Sequence, residues 1–201
     1  MRVFRFRPTQ SARFDVRGRG ASFARGFTLV ELMITLAVAA VLLVIAVPSF
    51  RSIMLSSRLD TTANDLIASL NTARMEAIKA NASAQFCSNS ATVNTNSTLG
   101  GACGTEVGAV MLTTATGSGT TATKVRSGIT SITGGIQLDG DVQAIRYGGD
   151  GLGRVPGSSA PANINVLADI CTSALTTDNH RVISITGGSV VAVGKDTRAC
   201  P

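Results

Sequence analysis

The stretch Arg25-Gly26-Phe27-Thr28-Leu29-Val30-Glu31 opens a long apolar run and decides how the N-terminal part of this chain folds. The run covers residues 27–47, and its 21 residues contain one charge, Glu31. An α-helix needs about 20 consecutive apolar residues to cross a bilayer. Seven arginines precede the run and none lies inside it, so we expect its N-terminal end to face the cytoplasm.

Three interpretations of the apolar run are possible, and they differ in whether they explain the presence of Glu31. A secretory signal has a shorter apolar region that ends at an A-x-A-like cleavage site, but Ala37-Val38-Ala39 is followed by eight more apolar residues. A simple tethered domain explains the length and the arginines, and it predicts no cleavage. It leaves Glu31 unexplained, because a carboxylate within a membrane costs free energy and usually has a function. The third interpretation rests on a resemblance described below.

The helical pattern continues beyond Pro48. A proline inside a helix removes one backbone hydrogen bond and bends the axis, so we expect a kink there. Apolar side chains then recur at every third or fourth position, which predicts an amphipathic helix over residues 48–80. These side chains are Leu59, Ala63, Leu66, Ile67, Leu70, Ala73, Ala77 and Ile78.

Residues 81–201 have the pattern of β structure. Short runs rich in Val, Ile and Thr, bounded by Gly, Asn and Asp, predict seven strands: residues 84–87, 107–112, 129–137, 142–147, 164–172, 182–186 and 190–193. The last two flank Gly187-Gly188-Ser189, a hairpin signal. We expect polar loops at residues 88–104 and 113–123. The sequence therefore predicts an α+β fold, in which a long kinked N-terminal helix packs on an antiparallel sheet.

The basic overall charge is concentrated at the N-terminus. The formal net charge is +6, from 18 basic and 12 acidic residues. Seven of the arginines and Asp15 lie before Phe27, which leaves 11 basic and 11 acidic residues in the rest of the chain. A basic protein often binds nucleic acid or an anionic surface, but the part of the chain from Phe27 onward is formally neutral. The total charge is therefore no evidence for DNA binding.

Four cysteines follow the apolar run: Cys87, Cys103, Cys171 and Cys200. None belongs to a C-x-x-C pair, and the single histidine, His180, has no metal-ligand spacing to them, which argues against a zinc site. Disulfides in an oxidising compartment are the favoured interpretation. Four cysteines allow three pairings, and we favour Cys87–Cys103 with Cys171–Cys200, because each closes a local loop rich in small polar residues.

The N-terminal stretch resembles the class III signal of type IV prepilins, which the pseudopilins of type II secretion share. In that family a prepilin peptidase cuts after the glycine on the cytoplasmic side, the new N-terminal residue is N-methylated, and the fifth mature residue is Glu. The resemblance implies cleavage between Gly26 and Phe27, methylation of Phe27 and a role for Glu31 in assembly. Pro48 falls at mature position 22, another familiar position of the family.

The resemblance also implies a domain arrangement. Residues 1–26 are expected to be a basic leader that is removed, residues 27–47 the transmembrane half of the helix, residues 48–80 its amphipathic half, and residues 81–201 a β-rich periplasmic domain. The protein is expected in the bacterial inner membrane and then in a filament. In the assembled bundle, the Glu31 carboxylate of one subunit would pair with the Phe27 amine of its neighbour, because each charge offsets the other's desolvation.

A second resemblance narrows the kind of pilin. Residues 73–78, Ala-Arg-Met-Glu-Ala-Ile, followed by Gln85-Phe86-Cys87, look like the GspH/FimT family of minor pilins and pseudopilins. The resemblance implies a subunit that helps initiate or cap a type IV pilus or a type II secretion pseudopilus. Its expected partners are other pilins or pseudopilins, the prepilin peptidase and an inner-membrane assembly platform. It implies no enzyme activity and no cofactor.

DNA uptake is the alternative function. FimT-type minor pilins for DNA uptake carry a basic Gly-Arg-x-Arg element near the C-terminus, and the corresponding stretch here is Gly194-Lys195-Asp196-Thr197-Arg198. With Arg181 nearby in sequence, Lys195 and Arg198 are the candidate DNA contacts. Phosphate contacts need clustered cations, and acidic neighbours reduce the local positive charge around these three residues. A solvated hairpin edge is therefore the favoured interpretation.

Other chemistry finds little support in the sequence. One histidine without a nucleophile partner argues against a Ser or Cys catalytic set. Residues 148–153, Gly-Gly-Asp-Gly-Leu-Gly, do not match a phosphate-binding glycine motif. The Asp139-Gly140-Asp141 turn offers two carboxylates of the kind that bind calcium, but two carboxylates in a turn are usually only a turn, and we expect no metal.

Overall fold

The computed structural model describes residues 26–117 and 119–201. The expected leader therefore lies outside the described residues, except for Gly26. The chain divides into two compact units, residues 1–43 and 44–201. The described part of the first unit is the start of one long helix, and the second unit contains the rest of that helix and every strand described below.

Helix α1 spans Leu29–Ala80 and contains Pro48. Thr28 caps its N-terminus, since its Oγ1 accepts a hydrogen bond from the Glu31 backbone N–H at 3.2 Å. At the other end, Asn81 adopts a left-handed conformation with φ 46°. The N–H of Ala82 donates to the Ala77 carbonyl at 3.0 Å, which closes the last helical carbonyls in a Schellman motif. The helix therefore ends where the sequence pattern ends.

One face of the second half of α1 is buried. Its buried residues are Leu59, Thr62, Ala63, Leu66, Ser69, Leu70, Ala73 and Ala77. Steps of three or four residues place them on one stripe, as the periodicity predicted. Burying each leucine completely stabilises the fold by about 2 kcal/mol. Ile78, expected on this stripe, remains half exposed.

In the part of the chain that the structure describes, nine strands form two antiparallel sheets. The first has the order β3-β2-β1-β5-β6, and the second has the order β4-β7-β8-β9. The strands are β1 Ala84–Phe86, β2 Val110–Thr116, β3 Gly119–Arg126, β4 Gln137–Leu138, β5 Ile145–Tyr147, β6 Gly153–Arg154, β7 Ile164–Cys171, β8 His180–Thr186 and β9 Val190–Asp196. The α+β fold with a long N-terminal helix and antiparallel strands is confirmed, and the strands divide into two sheets rather than one.

The two sheets and the helix stripe share one hydrophobic core. Phe86, Ile145 and Tyr147 of the first sheet, and Leu167 and Ile183 of the second, pack with the buried leucines of α1. Apolar residues from distant parts of the chain therefore stabilise the unit together.

Three regions differ from the sequence predictions. Residues 113–123, expected to be a loop, belong largely to the β2–β3 hairpin, because threonine is β-branched and favours strands. Residues 129–137 form no long strand, because Gly134 and Gly135 have positive φ angles of 65° and 90°. Residues 88–104 contain two short helices, α2 Ala91–Asn94 and α3 Thr98–Cys103.

Candidate processing and assembly site

The expected cleavage point lies immediately before α1. Gly26 and Phe27 precede the helix and are exposed, and the Phe27 side chain has no cover within the described residues. Thr28 and Glu31 are spaced as in a capping box, in which a Ser or Thr cap is followed three residues later by Glu. The sequence contains this Thr-x-x-Glu signal, which our sequence reasoning missed.

Glu31 has no ion-pair partner among the described residues. Its backbone N–H is satisfied by Thr28, while its carboxylate lies exposed in the first helical turn. A carboxylate near a helix N-terminus is favoured by the helix dipole. This interaction is weak beside the cost of placing an unpaired carboxylate in lipid, so the capping position does not account for Glu31.

The surface of α1 after this point is apolar and exposed. Among the described residues, α1 is the one helix long and apolar enough to cross a membrane by length and composition. The large apolar side chains of α1 from Leu29 to Val47 are all exposed, with Val44 at 76%. Water is a poor solvent for such a surface, so it needs a cover of lipid or of other helices.

Pro48 lies inside α1 and the helix continues past it. Because proline has no N–H, the carbonyl one turn earlier loses its intrahelical hydrogen bond. A bend of the axis at Pro48 stays a prediction.

Two disulfides are present in the described residues. Cys87 bonds to Cys103, with the Cα atoms 5.5 Å apart, and Cys171 bonds to Cys200, with the Cα atoms 5.8 Å apart. This is the local pairing favoured from the sequence. The first closes the segment that carries α2 and α3, and the second attaches the C-terminal residues to the end of β7. No described cysteine is free.

Comparison with known families gives two matches, one to the N-terminal segment and one to a longer segment that follows it. The family described as the prokaryotic N-terminal methylation motif matches residues 22–47. The family described as type II transport protein GspH matches residues 62–189, which is more than half of the chain. The chain belongs to the GspH family. Comparison with curated proteins and with solved structures gives no match.

Membership in the GspH family indicates the general function of the chain. The chain is a pseudopilin or minor pilin of type II secretion or of a pilus, and its family is structural rather than catalytic. The methylation motif implies processing by a prepilin peptidase and assembly with other pilins. The motif and the single apolar N-terminal helix fit an inner-membrane-anchored pilin.

Arg181, a candidate DNA contact in this GspH-family chain, is buried. Its side chain is 1% exposed. Its guanidinium donates to Asp60 Oδ1 at 2.5 Å and to Ser56 Oγ at 3.0 Å. It also donates to the backbone carbonyls of Asp178 at 2.6 Å and His180 at 2.9 Å. These contacts use Arg181 inside the fold, so it does not join an exposed cationic patch.

The other two candidates do not form a free basic cluster either. Arg198 is half exposed and forms ion pairs with Asp139 at 3.4 Å, Asp196 at 3.3 Å and Asp169. Lys195 lies on the exposed edge strand β9 and has no ion-pair partner among the described residues. One free cation is too few for the phosphate contacts that nucleic-acid binding requires.

The two carboxylates of the Asp139–Asp141 turn have different neighbours. Asp139 lies near Asp169 and His180, and one ligand atom from each lies within 4.8 Å of the others. However, the Arg198 guanidinium pairs with both carboxylates, and His180 Nδ1 lies 3.0 Å from Asp169 Oδ1. The Arg198 guanidinium therefore already supplies a positive charge to the carboxylates of Asp139 and Asp169. Asp141 instead contacts Asn89, whose Nδ2 lies 3.4 Å from its carboxylate.

Proposed function

We propose that this chain is a minor pilin or pseudopilin that is cleaved between Gly26 and Phe27 and then helps initiate or cap a filament. The observation that carries the proposal is the cleavage motif directly before an apolar helix, with an unpaired Glu31 in its first turn. After cleavage, Phe27 would carry the new N-terminal amine and would be N-methylated. The filament would serve type II protein secretion or pilus biogenesis.

Electrostatics gives Glu31 a role in this assembly. Removing residues 1–26 deletes the arginines and leaves a cationic amine at Phe27, four residues before Glu31. In a bundle of apolar helices, the Glu31 carboxylate of one subunit would pair with the Phe27 amine of the next. Each charge alone would be strongly desolvated, and pairing offsets that cost. Because the pair forms in one axial register, it would set the position of the subunit as well as hold it.

The arrangement of the chain follows from the same proposal. Residues 27–47 would lie in the inner membrane, residues 48–80 would support the periplasmic domain, and residues 81–201 would form that domain. Two disulfides support a periplasmic location, because disulfides persist in oxidising compartments. The partners would be other pilins and the inner-membrane assembly platform, and the chain would not act as an enzyme.

DNA uptake is the weaker alternative. It requires the isolated protein to bind DNA through Lys195 and Arg198, since Arg181 is committed to contacts inside the fold. Arg198 is itself paired with three carboxylates. We therefore expect the detergent-solubilised chain to bind DNA no more tightly than its Lys195→Ala variant, as measured by fluorescence anisotropy at fixed salt. Clear binding that is lost in Lys195→Ala would favour DNA uptake.

The direct test of the proposed function is the N-terminus of the protein. The full chain is expressed with and without a prepilin peptidase, extracted from membranes, and analysed by intact mass and N-terminal sequencing. We expect a peptidase-dependent start at Phe27, with a methyl group added. A matched Gly26→Asp variant should stay uncleaved while the membrane-anchored chain remains intact. An unprocessed wild-type chain in the presence of active peptidase would contradict the proposal.

A further inference from the structure

The second unit contains a half-buried cation, Arg146, that has no carboxylate partner among the described residues. Arg146 lies in β5 between the buried residues Ile145 and Tyr147. Its Nε and Nη2 donate to Gln85 Oε1 at 3.2 and 2.7 Å, and Nη2 also donates to Ser97 Oγ at 2.5 Å. No carboxylate of the described residues forms an ion pair with it. Both of its acceptors are neutral, so they hold the guanidinium without neutralising its charge.

Buried neighbours fix the position of this guanidinium. Gln85 is fully buried, and its Nε2 donates to the Asn94 carbonyl at 3.0 Å. This bond orients the Gln85 side-chain amide so that its Oε1 faces Arg146. Burial lowers the pKa of Arg146 below its ordinary value. That direction is expected for a cation that loses water without gaining a counter-ion.

Two small cavities meet at Arg146. One has a volume of about 270 Å³ and is lined by Arg146, Ser83, Gly148, Arg154, Val155 and Ser158, among others. The other has a volume of about 170 Å³ and shares Arg146 and Ser83. It is also lined by the hydroxyl-bearing residues Ser97, Thr98, Thr113 and Thr120. Hydroxyl groups around a guanidinium are suited to bind the oxygens of an anion.

The charge of the larger cavity favours one anionic group. Its second arginine, Arg154, is already neutralised by Asp150, with Nη2 to Oδ2 at 2.6 Å. Arg154 also donates to the backbone carbonyls of Leu152 and Ser159. Arg146 is therefore the single unpaired cation that lines this space among the described residues. A nucleic-acid backbone needs several cations along its path, whereas one carboxylate needs one.

We propose that the space lined by Arg146 and Ser83, the Arg146 cavity, binds a single carboxylate carried by another protein chain. Arg146 Nη1 makes no hydrogen bond to the described residues, so its two N–H groups remain for a ligand. A guanidinium and a carboxylate match in shape and charge, and their hydrogen bonds are about twice as strong as neutral ones. The identity of the partner as another filament subunit rests on the proposed function, but carboxylate binding itself does not.

The test uses the full chain in detergent and a short acidic peptide, acetyl-Gly-Asp-Gly-amide. The side-chain Nε–Hε NMR resonance of Arg146, assigned by its absence in Arg146→Lys, is followed during titration. We expect a saturable shift with the Asp peptide and none with the matched Asn peptide. Equal shifts with both peptides, or no saturable shift, would overturn the proposal. Tighter binding of a short DNA strand than of the Asp peptide would also overturn it, in favour of phosphate.

A second variant covers the case in which Arg146→Lys does not fold. Ser83 lines both cavities, so Ser83→Asp would supply the missing carboxylate from within the chain. We expect Ser83→Asp to weaken peptide binding about tenfold or more, equivalent to about 1.4 kcal/mol, while the Ser83→Asn control binds like the wild type. Unchanged binding in Ser83→Asp would refute the proposal. These results do not depend on cleavage after Gly26, so a failure of the filament proposal is recognised separately.

Discussion

Arg181 Nε donates to Asp60 Oδ1 at 2.5 Å, and this ion pair joins strand β8 to helix α1 across 121 positions of sequence. Arg181 is fully buried, whereas the Asp60 side chain is 48% exposed. The buried arginine would be left with an uncompensated charge if Asp60 were removed, and such a loss is costly. The ion pair therefore fixes how the second half of α1 lies on the second sheet.

Asp60→Ala should destabilise the fold by about 2 kcal/mol, because a buried charged donor loses its acceptor. Asp60→Asn should cost less, since the amide oxygen still accepts a hydrogen bond. The measurement is the urea unfolding midpoint of the full chain in detergent. Glu76→Ala on the same helix is the control, since its pair with Lys79 is at the surface and is worth less than about 1 kcal/mol. Equal losses in Asp60→Ala and Glu76→Ala would contradict the assignment.

Glu31→Gln should separate the capping role of Glu31 from its charge. Glutamine suits the third helical position of a capping box as well as glutamate does, but it cannot form an ion pair with the Phe27 amine. We expect normal cleavage and about tenfold less protein in purified filaments, with Glu31→Asp retaining more. Quantitative immunoblotting of filament and membrane fractions gives the ratio. Wild-type incorporation of Glu31→Gln would show that the charge is not needed.

Loss of the Cys87–Cys103 disulfide should lower stability by about 3 kcal/mol, because the bond restricts a loop with a sequence separation of 16 residues in the unfolded chain. The variant is Cys87→Ser/Cys103→Ser, compared with the wild type by thermal unfolding. The Cys171→Ser/Cys200→Ser variant tests the second bond in the same way. Peptide mapping without reduction checks both pairings, and a Cys87–Cys171 peptide in the native protein would show that the pairing is wrong.

Tyr147 should ionise at unusually high pH. Burial raises the pKa of Tyr147 to about 12, whereas an exposed tyrosine has a pKa of about 10. The unfolded chain therefore ionises first, and stability falls as pH rises from about 10 to about 12. The chain has one tyrosine and no tryptophan, so tyrosinate absorbance reports this group alone. A folded-state midpoint equal to that in denaturant would contradict the burial of Tyr147.

Asp150 should make stability depend on pH in the acidic range. Its hydrogen bonds with Arg154 hold the pKa of Asp150 at about 2, below its usual value of 3.8. The contribution is present above the unfolded pKa and is lost as pH falls from about 4 to about 2. Asp150→Asn should remove this part of the acid dependence, as measured by unfolding midpoints at several pH values. An unchanged profile in Asp150→Asn would exclude the pair as its source.

Local sequence signals predicted the helical part of the fold well. The apolar run, the stripe from Leu59 to Ala77 and the end near Asn81 all depend on residues within one or two turns of each other. The disulfide pairing was also a local prediction. Strands β7, β8 and β9 were recovered because their valine and isoleucine runs were bounded by turn residues.

Polar strands and irregular segments were less predictable. The threonine-rich β2–β3 hairpin resembles a loop in composition, and it is distinguished from one by the pairing of β2 with β3 and of Val110–Leu112 with β1. Conversely, Ile129 and Ile136 resemble strand residues, but the Gly134 and Gly135 conformations interrupt pairing there. Buried Asn94, which accepts from the Ser88 N–H at 2.8 Å and donates to the Gly104 carbonyl at 3.0 Å, gave no sequence signal.

The sequence by itself determined the family, the long helix and the expected processing motif of this protein, because the motif is defined by the spacing of Gly26, Phe27 and Glu31 along one segment. Only the tertiary structure decided which basic residues of the β-rich part are buried and paired with a carboxylate. Arg181 and Arg146 are both cations near apolar residues in sequence, yet one is buried against Asp60 and the other lines an open cavity. The partners that neutralise a charge, or fail to, come from distant segments, and folding alone brings them within hydrogen-bond distance.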